Sequence, residues 1–483
     1  MELDATTCYR ALAARDARFD GRFFTGVLTT GVYCRPICPA RTPKLENVQF
    51  FACAAGAEEA GFRACRRCRP ETAPGTPAWS GKSATVARAL RLIELDDRGE
   101  AGLDEIAGRL GVGARHLRRL FHDELGASPK AVEITRRAHF ARRLLVETAL
   151  PVSRIAFTAG FGSLRRFNEV MKRSFGASPV ALRSADTSRP DRGADGVLSL
   201  EIPFRPPSPW RTLSSFLGRR AIPGVEEAGA RSYRRTFRVG KSSGIAEIRP
   251  IPGKNALELR VPAVASEDLL ELSERARRLF DTDAAPAVIS AHLRRDPALA
   301  ERTNLAEGIR LPGCWDPFEM GVRAILGQQI TVAGARTLAG RLAAMAGPPL
   351  AGENGSLSRI FPEAAAVAHA DLKDLGVPRS RGETLRAFAA AFSDGRLARA
   401  SAAGLDALLG ELRLIPGIGD WTANYIAMRA FGEPDAFPAG DLGLRKAFAS
   451  GGRPASARDL ERISQNWRPW RAYAAVALWE GLS

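Results

Sequence analysis

Four cysteines in two close pairs are the first residues whose types and spacing invite chemistry. Cys34 and Cys38 lie in the stretch TTGVYCRPICPAR, and Cys65 and Cys68 in GFRACRRCRP. The spacings, Cys-x3-Cys and Cys-x2-Cys, supply four soft ligands suited to tetrahedral zinc. A closed four-cysteine site commonly does no more than hold a small domain together. Here Arg35, Arg41, Arg63, Arg66, Arg67 and Arg69 flank the sulfurs, a setting that would draw a phosphate toward them. A zinc-bound sulfur stays a thiolate at neutral pH, whereas a free cysteine titrates near about 8.5. A thiolate held beside a DNA phosphate could attack an alkyl group carried on it. Spacing alone leaves the structural and the reactive use both open.

The second group is LRLIPGIGDWTANYIAMRAF, residues 412–431. It reads as a helix, the hairpin Pro416-Gly417-Ile418-Gly419 and a second helix. Gly417 and Gly419 let the backbone come close to a nucleic acid, and N–H groups at the start of the second helix can hold a phosphate. By itself the motif means sequence-independent DNA binding. About twenty residues on, DAFPAGDLGLRKAF supplies Asp441. An isolated Asp at a helix start is by default an N-cap; placed after such a hairpin, it is also a candidate catalytic carboxylate.

The elements that must position these groups follow from a chain of 483 residues, which calls for several domains. Its net charge of +17 favours a polyanionic partner, although a GC-rich genome would also inflate arginine, so the motifs must decide. No apolar run reaches the length of a membrane span, and the N-terminus lacks the pattern of a secretory signal. Seven cysteines, four of them at metal spacing, fit a reducing cytoplasm better than a disulfide framework. Two stretches read as linkers: PETAPGTPAWSGKS (70–83) and SADTSRPDRGADG (184–196).

Between the linkers lies an internal repeat. EIAGRLGVGARHLRRLFHDELGASPKAV begins at Glu105, and RIAFTAGFGSLRRFNEVMKRSFGASPVAL begins at Arg154. Each copy predicts a short apolar helix, a turn centred on Gly111 or Gly160, and an amphipathic second helix rich in arginine. Each ends in Gly-Ala-Ser-Pro, where Gly closes one helix and Ser-Pro opens the next. Two such units joined by a long helix over 130–147 resemble the DNA-binding domain of AraC-type regulators, over roughly 84–184. That resemblance places Arg115, Arg118 and Arg119 on the first recognition helix, and Arg165, Arg166 and Asn168 on the second. After the second linker, GVLSLEIPF, SYRRTFRVG, GIAEIRPI and ALELRVP alternate apolar and polar residues, which predicts antiparallel strands over 197–262. From Glu267 onward the pattern is helical.

The run from Thr29 to Pro70 resembles the N-terminal domain of the Ada family, over roughly 1–72. The resemblance implies that Cys34 irreversibly accepts a methyl group from a DNA methylphosphotriester, with Cys38, Cys65 and Cys68 as the other zinc ligands. It also implies that methylation, by removing negative charge, strengthens promoter binding. Arg41, Arg63 and Arg67 are the expected phosphate contacts. The Pro-Cys-His-Arg motif of the second Ada methyltransferase is missing: Cys8, Cys53 and Cys314 are not followed by His-Arg, so repair of O6-alkylguanine is not expected.

LPGCWDPFEMGVRAILGQQITVAGA (311–335), the hairpin, and WRPWRAYAAVALW (467–479) resemble the AlkA-type 3-methyladenine glycosylases of the endonuclease III superfamily, over roughly 197–483. A cationic alkylated base leaves without a general acid, and the carboxylate stabilises the oxocarbenium-like sugar. The resemblance gives that role to Asp441. It puts Trp421, Tyr425, Trp479 and Phe216 in the base pocket and Gln329 at the wedge that fills the gap left by the flipped base. Two further pocket aromatics of the family are replaced by Leu442 and Glu480. Bifunctional members carry a Schiff-base lysine where this chain has Trp421, which implies a monofunctional enzyme needing no cofactor.

The expected architecture is multidomain, mostly α with α+β parts. It comprises a small zinc-binding α/β domain (1–75), an all-α double helix-turn-helix domain (84–184), an antiparallel-sheet subdomain (197–305) and a helical helix-hairpin-helix glycosylase domain (306–483). The expected partners are alkylated and promoter double-stranded DNA and RNA polymerase, with one Zn2+, no membrane, and the chain acting as a cytoplasmic monomer. Two alternatives stay open: a regulator whose C-terminal part only binds DNA, and a glycosylase whose cysteine domain is only a structural zinc module.

Overall fold

The computed structural model describes residues 4–75, 84–95, 102–184, 196–303, 305, 308–352, 355–449 and 452–481. Most of both expected linkers, 76–83 and 185–195, lies outside the described residues. The chain forms two compact units, Met1–Pro206 with Ile251–Glu274, and Pro207–Pro250 with Arg275–Ser483.

The first unit begins with a four-stranded sheet in the order β3-β1-β2-β4, made of β1 (Phe24–Val27), β2 (Val32–Cys34), β3 (Val48–Phe51) and β4 (Arg63–Ala64). β1 pairs antiparallel with β2 and β3, whereas β4 runs parallel to β2, with Tyr33 opposite Ala64. Tyr33 is fully buried, its ring edge-on to Phe24 with centroids 5.8 Å apart. Short helices at Ala5–Ala13 and Ala54–Glu59 complete this part.

The repeat folds as its sequence predicts. Helices Leu103–Arg109 and Ala114–Leu125 form the first copy, and Val152–Thr158 and Leu164–Phe175 the second. Gly111 and Gly160, at φ 68° and 78°, make the turns between them. The second helix of each copy buries one face (Leu117, Phe121 and Leu125; Phe167, Met171 and Phe175) and exposes the arginines opposite. Gly126 and Gly176 cap these helices in the left-handed region, as the Gly-Ala-Ser-Pro repeats require. The linking helix spans Pro129–Glu147, with the Ser128 hydroxyl accepting from Ala131 N and Pro129 in its first turn. β5 (Val197–Pro203) and β9 (Ala256–Pro262) pair antiparallel in the same unit.

The second unit contains the meander β6 (Glu226–Ala228), β7 (Tyr233–Val239) and β8 (Ser242–Pro250). The strands expected over 197–262 are found, but a helix at Trp210–Gly218 interrupts them. Trp210, Leu213 and Leu217 fall at helical spacing and are all buried, a period that the neighbouring alternation masked. Beyond Pro286 the described residues are helices and loops, with one isolated bridge between Pro349 and Arg359. A buried charge cluster ties β7 to helix Pro317–Leu326, with Arg235 to Glu319 at 2.6 Å and Arg323 to Glu226 at 2.8 Å. Among the described residues no helix is long and apolar enough to cross a membrane.

Candidate functional site

The parallel pairing of β2 and β4 accounts for the cysteine centre. It sets Cys34, at the end of β2, beside Cys65, which follows β4, and Cys65 N donates to Tyr33 O at 3.0 Å. Each strand then turns back, and the turns return Cys38 and Cys68 to the same point. All four Sγ atoms lie within 4.8 Å of one another. A tetrahedron with metal–sulfur bonds of about 2.3 Å needs sulfurs roughly 3.8 Å apart, so four thiolates in this arrangement fit zinc. Cys34, Cys38 and Cys68 are buried, and Cys65 is half-buried.

The flanking arginines divide into two groups. Arg41, Arg63, Arg66 and Arg67 are exposed. Arg35 is turned inward: its guanidinium pairs with Asp20, Nε to Oδ1 at 2.8 Å, and donates to Cys68 O at 3.2 Å and Thr72 Oγ1 at 2.6 Å. Arg69, at φ 52°, donates to Glu71 at 3.2 Å. These two brace the centre and are not free for a phosphate. The other cysteines are inert by burial, which pushes the thiols of Cys8 and Cys53 up to about 11 and that of Cys314 up to about 12.

On the helix-turn-helix pair, Arg115, Arg118, Arg119, Arg165, Arg166 and Asn168 are all exposed. Arg165 and Arg166 lie 3.1 and 3.8 Å from Glu169, surface pairs of little net strength. Asn168 donates to Leu164 O at 2.8 Å, within its own helix.

The carboxylate of Asp441 is held from three sides. Oδ1 accepts from Leu444 N at 3.0 Å, so the residue does cap helix Leu442–Ala447. Oδ1 also accepts from Trp479 Nε1 at 3.1 Å, and Oδ2 from Trp421 Nε1 at 3.0 Å. Both indoles belong to one aromatic group: Trp421 stacks on Tyr425 with centroids 5.1 Å apart, and Tyr425 lies 6.2 Å from Trp479. Phe216 joins the group through Arg429, whose guanidinium lies 4.8 Å from the Phe216 ring and donates to Tyr425 Oη at 3.1 Å. Arg220 covers Phe216 at 3.7 Å, and burial drives its basicity down to about 10. Leu442 and Glu480 are exposed beside this group.

The hairpin sits close by in the chain. Gly417 has φ +85°, and a Cβ there would stand 2.2 Å from Thr384 Oγ1, so only glycine fits. Among the described residues no side chain caps helix Asp420–Arg429, an arrangement that suits its first N–H groups to an anion. Gln329 is exposed and left-handed at φ 57°. Its neighbour Gln328 donates to Gly417 O at 2.9 Å and Thr422 Oγ1 at 3.0 Å, fastening this loop to the hairpin. Sequence reasoning missed Gln328, Arg220 and Arg429. Arg429 stands four residues after Tyr425 on one helix, a spacing that could have revealed it.

Comparison with known proteins agrees domain by domain. The model of the metal binding domain of Ada matches residues 7–71, a helix-turn-helix domain matches 106–185, and the AlkA N-terminal domain matches 199–316. The DNA-3-methyladenine glycosylase 2 of Escherichia coli is 35% identical over 57% of this chain and 95% of its own length. The bifunctional transcriptional activator/DNA repair enzyme Ada of Escherichia coli is 38% identical over 29% of this chain and 38% of its own length. Together these matches define a DNA-binding protein that joins a zinc site, a helix-turn-helix reader and a DNA glycosylase. The probable bifunctional transcriptional activator/DNA repair enzyme AlkA of Mycobacterium tuberculosis is 42% identical over 100% of this chain and 97% of its own length. The chain belongs to that family of bifunctional transcriptional activator/DNA repair enzymes, and its four cysteines hold one zinc ion.

Proposed function

We propose that this chain excises alkylated bases of the 3-methyladenine and 7-methylguanine type through Asp441, and registers DNA methylphosphotriesters by methyl transfer to Cys34. The observation that carries the enzymatic part is the Asp441 carboxylate, oriented by two indole N–H groups inside an aromatic group that directly follows a phosphate-binding hairpin. An ionised carboxylate offers about four lone-pair sites. Three are taken by Leu444 N, Trp479 and Trp421, which leaves one on Oδ2 for the reacting sugar or its water. As the C1′–N bond breaks, its electron pair leaves with the cationic base, and the carboxylate offsets the positive charge growing on the sugar. Water then adds to C1′ through its oxygen, releases a proton to the Asp441 carboxylate and from there to solvent, and gives an abasic site. Trp421 has no amine with which to form a Schiff base, so the reaction ends there. Gln329 is the wedge, and Gln328 anchors its loop to the hairpin.

In the sensing part, the Cys34 sulfur attacks the methyl carbon. The methyl–oxygen bond breaks, a phosphodiester anion leaves, and the sulfur becomes a thioether. Bound zinc supplies the positive charge that keeps the sulfurs deprotonated. Arg41, Arg63 and Arg67 hold the phosphates, and the helix-turn-helix pair reads promoter DNA as a cytoplasmic monomer that recruits RNA polymerase. Asp441→Asn is expected to abolish release of 7-methylguanine from alkylated duplex while leaving duplex affinity intact. Peptide mass spectrometry of zinc-loaded protein after incubation with methylphosphotriester DNA is expected to find one methyl, on Cys34. Base release by Asp441→Asn at the parent rate, or no methyl on any cysteine, would reject the corresponding half.

A further inference from the structure

The metal-binding domain touches the DNA reader at the C-terminal ends of both recognition helices. At the first, Cys53 Sγ lies 3.4 Å from Leu125 O, the last carbonyl of helix Ala114–Leu125. Gly56 lies so close to it that a Cβ would stand 2.6 Å from the same oxygen. Two residues after the capping Gly126, Ser128 donates to Glu59 from Oγ at 3.0 Å and from N at 3.3 Å. At the second, Arg66 Nη2 lies 3.4 Å from Phe175 O and 3.5 Å from Gly176 O, at the end of helix Leu164–Phe175. Terminal carbonyls have no partner within their own helix and carry partial negative charge, so an arginine is well placed there.

Glu58 stands between these two contacts and belongs to neither helix. Its Oε1 accepts from Tyr33 Oη at 2.9 Å, and His139 Nε2 lies 2.9 Å from that hydroxyl and 3.4 Å from the carboxylate. Its Oε2 accepts from Ser174 Oγ at 2.8 Å and from Thr135 Oγ1 at 3.2 Å. Tyr33 and Ser174 are essentially inaccessible to solvent. One carboxylate therefore joins the strand that ends in Cys34, the linking helix and the second recognition helix. Burial raises the carboxyl's pKa, but the bonds from His139, Ser174 and Tyr33 outweigh it and keep the group below its ordinary range. Bonds to an ionised acceptor are about twice as strong as neutral ones.

We propose that Glu58 is a positioning residue for DNA reading, and that through it the metal-binding domain clamps the two recognition helices at a fixed separation. A bipartite reader needs that separation, because successive major-groove faces lie about 34 Å apart along the duplex. The proposal rests on reading helices Ala114–Leu125 and Leu164–Phe175 as DNA readers; it does not depend on methyl transfer to Cys34. Tyr33 closes the hub and immediately precedes Cys34, so the sulfur centre and the clamp share one strand.

The test uses the zinc-loaded full chain and its Glu58→Leu variant, with a duplex that the parent chain selects from a random pool. Loss of buried bonds to a charged group should raise hydrogen exchange in 121–126 and 172–177 about tenfold. Affinity for the selected duplex should fall about tenfold, and the footprint should shrink toward one half-site. Zinc content, methyl uptake and base excision should stay at the parent level. Unchanged exchange and an unchanged footprint would overturn the clamp. If Glu58→Leu does not fold, Ser174→Ala removes one arm alone, and faster exchange should then be confined to 172–177. Parent-level exchange there would equally overturn it. A parent protein that takes up no methyl, while Glu58→Leu behaves as expected, would count against the role of Cys34 and leave the clamp standing.

Discussion

Asp441 shows how a single residue serves as a helix cap and as a candidate catalyst. The cap bond fixes Oδ1 on the backbone, and two indoles fix the rotation of the carboxylate about its last bond. Trp421→Phe and Trp479→Phe keep an aromatic ring while each deletes one N–H. A hydrogen bond to a charged acceptor is worth about 1.5–3 kcal/mol, so each variant should slow single-turnover base release roughly tenfold or more. Affinity for undamaged duplex should not move, and parent-level turnover in both variants would show that the indoles only stack. Asp281 illustrates the opposite case, an acid held where ionisation is costly. Burial pushes its carboxyl up to about 7 from an ordinary 3.8, although it accepts from Leu311 N at 2.9 Å and Tyr473 Oη at 3.1 Å. The folded state therefore binds the proton more tightly than the unfolded state does. Stability from this group is present below about 4 and is lost as pH rises toward 7, at up to about 1.4 kcal/mol per pH unit. Asp281→Asn should flatten the decline of the second unit's unfolding midpoint across that window. Parallel pH profiles for parent and variant would contradict it.

At the scale of elements, the hairpin Pro416–Gly419 carries the strictest demand. Gly417→Ala places a Cβ in a left-handed backbone and against the Thr384 hydroxyl, a strain of about 1–3 kcal/mol. The hairpin should shift, the carbonyl that Gln328 reaches should move with it, and both duplex affinity and base release should fall about tenfold. Gly410→Ala, on the exposed side of helix Leu405–Arg413, is the control, since among the described residues nothing lies within 4 Å of its added carbon. Equal losses in the two variants would mean that the geometry of Gly417 is not the cause. Such elements were legible in the sequence because their constraints are local. The cysteine spacings, the turns at Gly111 and Gly160, and the Gly-Ala-Ser-Pro caps each speak through a few adjacent residues. What stayed hidden is long-range. Nothing near Glu58 announces Ser174, more than a hundred positions away, and a glutamate in a short surface-like helix reads as solvated. The partnership of Asp441 with two tryptophans was hidden in the same way, though all three residues were singled out separately. Arg35 was grouped with the arginines flanking the sulfurs that would draw a phosphate, and only its pairing with Asp20 reveals a brace. The helix at Trp210–Gly218 was lost because strands on both sides set the expected period.

At the scale of the whole molecule, the chain does not part cleanly at the segment 185–195. β5 and the residues after it return to the first unit. Fully buried Arg205 donates to Asp20 O at 2.8 Å and Gly75 O at 2.6 Å, Glu201 N donates to Glu147 at 3.0 Å, and Arg143 reaches Glu201 O. Farther on, Glu267 and Glu274 pair with Arg154 and Arg136 at 3.2 and 3.3 Å. A buried guanidinium stripped of its acceptors costs several kcal/mol, so the two sides of the segment should hold together without the covalent link. A full chain carrying an inserted protease site within 185–195 should, once cut, still migrate as one particle at physiological salt. The C-terminal piece produced alone should melt at a lower temperature than the same piece in the cut complex, because Arg205 and Glu201 would lose the partners that residues before the cut provide. Separation of the cut pieces at micromolar concentration would show these bonds too weak to matter, and the linker would then be the only tie. Persistence would mean that β5 and β9, which the sequence groups with the glycosylase, stabilise the reader as well. A reader whose compact unit includes β5 and β9 cannot be exchanged as a cassette cut at 185–195.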